Sequence, residues 1–350
     1  MSPPHVPIAV AFDRNYLIPA AVALYSLFEC LQKSKVGGKE TTYTIHIFYA
    51  GLQKTDMQRL KDLAKPYADF VGLDFIDIEG FLEQFHNPFS DAFLARFSKM
   101  VLVKYMLVDF FPQYDKVIWT DVDVLFLQDP TLDFIKMDTA QSVYLHAVLI
   151  NETNHALEGF WFCNLAYMRT HHWVQKVLEC IQKQQRHLNE PDLITFVWPN
   201  EIAQLPLKYC VMPSYYEGRC MENIDAMDLS NLQESLEHPI ILHYCDFQGV
   251  PKPWELPFSA KSGLWLATLS KTAFAHDFFL EWDNRDKQTY FIQEMTHLNY
   301  FSGKHSTANL LFRTPWCFLC DHYKAVKARL FAKGVLDLLR RVQHKIFKRG

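Results

Sequence analysis

The run Lys116-Val-Ile-Trp-Thr-Asp-Val-Asp-Val-Leu-Phe126 constrains the fold of this chain more than any other stretch. Its first half is apolar and partly β-branched, as in a strand buried on both faces. Such strands belong to parallel or mixed sheets covered by helices. Two carboxylates then arrive one residue apart, Asp121 and Asp123. In extended backbone, positions i and i+2 project to one side, so both acids are expected on one face with Val122 turned back. Paired hard oxygen ligands at the carboxyl end of a strand suit a divalent cation that bridges to substrate phosphates. A solvated turn with two stray acids would look the same, so the remaining chain has to decide.

The flanking chain supplies the covering helices. Pro7–Phe12 is a short apolar strand, Asp13-Arg-Asn-Tyr16 a polar turn, and Leu17–Leu31 a long apolar helix. Pro19 falls in the first turn of that helix, where no intrahelical bond is lost. Thr42–Tyr49 alternates as a second strand, Thr55–Ala64 has helical spacing, and Phe70–Phe75 is a third strand. Ala92–Phe110 is expected as a helix leading into the central strand, which opens the run at Lys116 and is followed by the two acids. Val143–Ile150 and Phe160–Met168 are expected strands, and Trp173–Gln185 a helix. Pro206–Met212 and Pro239–Tyr244 are short apolar stretches between loops. Strands and helices alternating from the first residues predict a doubly wound α/β fold.

A chain of 350 residues suits one large domain with an appendage, or two domains, and 49% hydrophobic residues with 28 Phe supply a core. The net charge of −4 argues against a nucleic-acid binder. No run of eighteen apolar residues occurs, and the Met-Ser-Pro-Pro-His start lacks a basic region. Neither a spanning helix nor a secretory leader is expected. The eight cysteines are scattered, as reduced thiols of a cytosolic protein are, and the Cys317/Cys320 pair has no partner set for a metal.

Ligands of open α/β sheets bind beyond the carboxyl ends of strands. Asp13 and Asn15 follow the first strand and could bond a base N–H and a ribose hydroxyl. An Asx turn capping the next helix uses the same residues. His243, in Ile-Leu-His-Tyr244, could bring a nitrogen ligand to the same cation, although a lone His is also a common structural residue. The loop Gly249-Val-Pro-Lys-Pro-Trp254 presents Lys252, which suits a diphosphate.

Taken in order, Ala11-Phe-Asp-Arg-Asn-Tyr16, Lys116–Phe126 and His243…Gly249…Lys252-Pro-Trp254 resemble the signature of glycosyltransferase family 8. That family holds retaining, UDP-sugar-dependent lipopolysaccharide galactosyl- and glucosyltransferases and glycogenin. The resemblance runs from Pro7 to Trp254. It implies a GT-A-type fold, a Rossmann-like mixed sheet flanked by helices, over residues 1–255, with a mostly helical C-terminal extension over 256–350. It implies that Ala11, Asp13 and Asn15 hold the uridine. Asp121 and Asp123 would hold Mn²⁺, or Mg²⁺, with Asp121 also near the donor sugar and Val122 in the same pocket. His243 would be the third ligand, and Gly249 and Lys252 would contact the diphosphate. UDP-galactose or UDP-glucose is the implied donor, and a lipopolysaccharide or lipooligosaccharide glycan the implied acceptor.

The chain departs from that signature at three places. Where the family has an arginine at the donor, the register gives Lys104, which keeps the charge and loses the bidentate fork. The family's Phe-Asn-Ala-Gly segment is matched to Phe162-Cys-Asn164, making Asn164 a candidate sugar contact. Its Asp-Gln-Asp run becomes Glu190-Pro191-Asp192. A proline cannot attack the sugar, so double displacement would need Glu190 or Asp192 to move in. Front-face attack, with a UDP phosphate oxygen taking the acceptor proton, is the expected route. Asp121, Lys104, Glu190 and Asp192 are therefore the catalytic candidates.

From Lys324 to Gly350, nine Lys/Arg stand against one acid, Asp337, so this tail carries +8 and the remaining chain −12. Val326, Leu330, Val335, Leu338, Leu339, Val342 and Ile346 recur at roughly helical spacing. Residues 323–350 are expected as a basic amphipathic helix on an anionic membrane surface, or as a docking helix with a solvated basic face. The bacterial lipooligosaccharide transferases that the chain resembles end in similar tails, which implies peripheral attachment at the inner face of the cytoplasmic membrane. Two other functions stay open on sequence alone. One is a non-catalytic sugar-nucleotide or glycan-binding protein. The other is a metal-dependent nucleotidyltransferase, which is expected to carry a Gly-rich basic loop where this chain has Asp13-Arg-Asn15.

Overall fold

In strand β1 (His5–Asp13), Val6, Ile8, Val10 and Phe12 point into one core and Ala9 into another, so the strand is covered on both faces. Helix α1 (Leu17–Leu31) follows, and its apolar residues Ala20 to Leu24, Leu27 and Phe28 join the first core. The computed structural model describes residues 4–31, 35–36, 39–84, 99–150, 155–156, 159–183, 200–216, 231–245, 252–255 and 260–284. Glu190, Asp192, Gly249, Cys317, Cys320 and the basic tail lie outside the described residues. Residues Met1–Asp283 form one compact unit.

Along the chain come β2 (Thr42–Ala50), α2 (Lys54–Ala64), β3 (Val71–Asp77), β4 (Lys116–Thr120) and β5 (Val124–Phe126). Then follow α3 (Thr131–Lys136), β6 (Leu145–Ala147), β7 (Phe160–Asn164), α4 (Leu165–Thr170), α5 (Trp173–Lys183) and β8 (Ile202–Gln204). β9 (Ile241–His243), α6 (Ser262–Leu269) and α7 (Ala275–Asn284) complete the described elements used below. Seven strands form one sheet in the order β8-β6-β7-β4-β1-β2-β3. β7 runs antiparallel to both its neighbours, and the other pairings are parallel. This is the mixed, helix-covered sheet that the apolar strands require. α6 packs Trp265 and Leu269 into the α1 side of the core. No helix among the described residues is long and apolar enough to cross a membrane.

Three elements differ from their sequence expectation. The described part of Ala92–Phe110 is a 3₁₀ run, Lys99–Tyr105, and a short α-helix, Leu107–Phe110. Leu102, Val103, Lys104 and Tyr105 are all buried, which a helix with one apolar stripe cannot achieve. The expected strand over Phe160–Met168 stops at Asn164, whose side chain accepts a bond from Tyr167 N and starts α4. Most consequentially, the backbone is not extended through the acids. β4 ends at Thr120, the chain bends over residues 121–123, and β5 leaves the main sheet to pair with β9.

Candidate active site

The break after Thr120 builds the site. β5 pairs antiparallel with β9, setting His243 opposite Val124, and Tyr244 N donates to Asp123 O at 2.8 Å. β5 is itself pinned to α1, because Phe126 N donates to Ser26 Oγ at 3.0 Å. A histidine 120 positions down the chain is thus carried to the acids by backbone pairing. Ligand atoms of Asp121, Asp123 and His243 all lie within 4.8 Å of one another. The carboxylates converge through the bend rather than by strand alternation, and Val122 between them is buried.

Both carboxylates are anchored by neighbouring side chains. Asp121 Oδ1 accepts from the Trp119 indole at 2.9 Å and has the Lys104 ammonium at 3.9 Å. Lys104 is 1% exposed, with its Nζ 4.9 Å from the Trp161 ring, so the lysine that replaces the expected arginine does reach the acid. Asp123 Oδ2 accepts from Lys252 Nζ at 2.6 Å. Asp123 Oδ1 is buried and makes no hydrogen bond, although His243 Nε2 is 3.3 Å away. Asp123 Oδ1 and His243 Nε2 form an ion pair outside good hydrogen-bond geometry, and a cation held between them would take both as ligands. The donor set of two carboxylates and one imidazole fits a hard or borderline divalent ion with positions left open for substrate oxygens.

The charges of the cluster support one another. Burial pushes the Asp123 carboxyl up, but Lys252 and then His243 outweigh it and hold it well below the usual carboxylate range. Burial works against a charge on His243, yet Cys245, Asp123 and Cys210 around it raise its pKa well above the ordinary value. Burial likewise opposes the Lys252 ammonium, and Asp123 and Tyr16 keep it charged. A cation binding Nε2 must therefore displace a proton from His243. Tyr16 and Trp254 meet edge-to-face at 5.9 Å and flank Lys252, whose Nζ lies 5.7 and 5.5 Å from the two rings.

The remaining sequence candidates fall in different places. The pairing Ala9↔Trp119 carries Ala11, two residues on, toward the level of Asp121 at the carboxyl end of the sheet. Asp13 ends β1 and its Oδ1 accepts from Asn15 N at 3.0 Å, which is the Asx turn that the sequence left open. Asn164 is not at the site. It pairs with Lys116 at the opposite end of β4 from Asp121, is fully buried, and spends its amide on Tyr167 N, Thr139 O and Gln141 O. A helix cap explains that residue, because an asparagine entering a helix is worth most as its N-cap. Beside Asp121 stands Gly159 instead, whose carbonyl accepts from Asp121 N at 2.9 Å. Trp119, Gly159 and Cys210 are the contributors that sequence reasoning missed. The one available signal was a glycine placed directly before an aromatic strand.

The family described as "Glycosyl transferase family 8" matches residues 7–256. No curated protein matches the sequence. Among solved structures, the apo bifunctional glycosyltransferase WbbM superposes with a TM-score of 0.65 at 17% identity, covering 80% of this chain and 52% of that one. This chain therefore spans about half of WbbM's length. The galactosyltransferase LgtC, solved with donor and acceptor sugar analogs, gives a TM-score of 0.59 at 15% identity over 77% of this chain and 96% of that one. The glycosyltransferase GlyE of Streptococcus pneumoniae TIGR4 gives 0.54 at 19% identity, covering 80% and 63% of the two chains. At such identities the likeness carries the fold alone, a GT-A-type mixed sheet flanked by helices. With the family match spanning most of its length and side chains that could hold a cation at the carboxyl end of its sheet, the chain belongs to glycosyltransferase family 8.

Proposed function

We propose that this enzyme transfers a hexose, galactose or glucose, from a UDP-sugar to a glycan acceptor with retention of configuration. Asp121, Asp123 and His243 would hold Mn²⁺ or Mg²⁺. The observation that carries this reading is the convergence of Asp121, Asp123 and His243 ligand atoms, with buried Asp123 Oδ1 facing His243 Nε2 and Lys252 on the other carboxylate oxygen. When bound, a divalent cation supplies Lewis-acid neutralisation of the charge that develops on the UDP leaving group. Lys252 adds a second positive charge, and its ring-walled position keeps water from screening it. Lys104 and the Trp119 indole fix Asp121 beside Asp123 and His243, where the donor sugar would sit. A proline at position 191, flanked by Glu190 and Asp192, favours front-face attack, with a UDP phosphate oxygen taking the acceptor proton.

The acceptor would be a lipopolysaccharide or lipooligosaccharide sugar at the inner face of the cytoplasmic membrane, reached through the basic tail of residues 323–350. Residues 323–350 would serve this attachment rather than the chemistry. Supporting the transferase part is the family match over residues 7–256.

The test is UDP release from a panel of UDP-sugars with and without Mn²⁺. UDP-galactose or UDP-glucose should be turned over, chelation should stop turnover, and the product anomer should match the donor. UDP binding without release would instead make this a sugar-nucleotide-binding homologue. A glycosyl adduct on Glu190 or Asp192, found by mass spectrometry, would overturn front-face attack. Deleting residues 323–350 should abolish binding to anionic vesicles and leave UDP release intact, and undiminished vesicle binding would refute the membrane role.

A further inference from the structure

We propose that Cys210 orients His243 toward the cation and that Gly159 sets the depth at which the imidazole sits. The inference rests on reading Asp121, Asp123 and His243 as a divalent metal site. It assigns positioning roles to two residues that touch neither cation nor substrate.

The His243 ring has two nitrogens with two different neighbours. Nε2 lies 3.3 Å from Asp123 Oδ1, and Nδ1 lies 3.4 Å from Cys210 Sγ. A metal takes the lone pair of a neutral imidazole nitrogen, so a ligand through Nε2 must carry its proton on Nδ1. That proton needs an acceptor, and metal-bound histidines nearly always give it to one. Here the acceptor in place is the Cys210 sulfur, buried at 1% exposure. Sulfur is a weak acceptor, and its burial beside Nδ1 lets it hold the tautomer.

Backbone pairing fixes where that sulfur stands. Val211 N donates to Ile241 O at 3.0 Å, and His243 N donates to Val211 O at 2.9 Å. Cys210 therefore cannot slide relative to β9 without breaking both bonds. Gly159 bounds the ring elsewhere. A Cβ built on it would lie 2.5 Å from His243 Nδ1 and 2.6 Å from Cε1, closer than real atoms approach. The carbonyl of the same glycine accepts from Asp121 N. One residue thus governs the backbone of one ligand and the ring position of another, which only a residue without a side chain can do here.

The experiment measures Mn²⁺ affinity of the full chain, with and without UDP, from the free-Mn²⁺ electron paramagnetic resonance signal. Wild type is compared with His243→Ala, Cys210→Ala, Cys210→Ser and Gly159→Ala, each checked for its fold by near-UV circular dichroism. Cys210→Ala should weaken Mn²⁺ binding by about 10- to 100-fold, the usual effect of removing the acceptor behind a ligating histidine. Cys210→Ser should restore most of it, because the hydroxyl still accepts. Simple packing predicts the reverse order, alanine tolerated and the buried hydroxyl harmful. Serine binding Mn²⁺ no better than alanine overturns the inference, as does Cys210→Ala with wild-type affinity while His243→Ala loses it. Gly159→Ala should also weaken binding, and a folded Gly159→Ala protein of unchanged affinity removes the role of Gly159. Wild type that binds no Mn²⁺, with or without UDP, overturns the metal-site reading itself.

Discussion

Replacing Asp123 with alanine should abolish Mn²⁺-dependent UDP release and destabilise the folded chain in the same step. Asp123 is the hub of the cluster, with Lys252 on Oδ2 at 2.6 Å and His243 near Oδ1 at 3.3 Å. Removing one partner of a buried ion pair typically costs about 3–5 kcal/mol, because the other charge is left without compensation. Lys252 has only 13% side-chain exposure, so water cannot take over that role. The rate should fall by at least ~10³-fold, since Lewis-acid assistance is worth several kcal/mol. Urea denaturation and UDP release together check the prediction. The double variant Asp123→Ala/Lys252→Met should recover much of the stability and none of the activity. An alanine variant as stable as wild type would mean that the Asp123–Lys252 pair is not formed in solution.

The pH dependence of that stability has a definite sign. The Asp123 carboxyl is held well below its ordinary value by Lys252 and His243 against the pull of burial. A depressed folded-state pKa gives stability that is fully present above the unfolded-state value and is lost as pH falls through the folded-state value. At neutral pH the whole contribution is present, so the comparison belongs there.

Substituting Lys252 by methionine should lower kcat by about 10²- to 10³-fold, as loss of one preorganised charge at a leaving group does. It should not weaken Mn²⁺ binding in the absence of UDP, because Lys252 shares Asp123 with the cation and is not a ligand. Steady-state kinetics with Mn²⁺ titration by electron paramagnetic resonance separates the two effects. Lys252→Arg should recover part of the rate, since the charge is kept and the geometry is changed. An unchanged kcat in the methionine variant would remove Lys252 from the leaving-group side. A parallel loss of Mn²⁺ affinity would make it a structural support of the triad.

How much of this was legible beforehand varies from residue to residue. Asp121, Asp123, His243 and Lys252 were all read from their sequence surroundings, and the structure brings the four together. The helix Leu17–Leu31 is found with those bounds, because an apolar run opened by a polar turn has few alternatives. Extended backbone is the expectation through the acids, where the chain instead bends. Apolar residues stand on both sides, Val117–Trp119 and Val124–Phe126, and periodicity carries no mark of the bend between them. Asn164 was misplaced for a related reason. An asparagine ending a strand serves as a ligand contact or a helix cap, and only its position at the far end of β4 distinguishes them.

The sequence by itself determined the alternation of buried strands and helices, and hence the covered sheet. It also determined the chemistry available at the carboxyl end of that sheet, since carboxylates, imidazole and ammonium are fixed by residue type. What only the tertiary structure decided is how those groups meet. The chain bends after Thr120, β5 leaves the sheet to pair with β9, and His243 arrives beside Asp123 with Cys210 and Gly159 behind it. Those contacts join residues far apart in the chain through backbone pairing and close packing. Local patterns encode the elements but not how distant elements meet, so the supports of the site, Trp119, Cys210 and Gly159, could be read only from the folded chain.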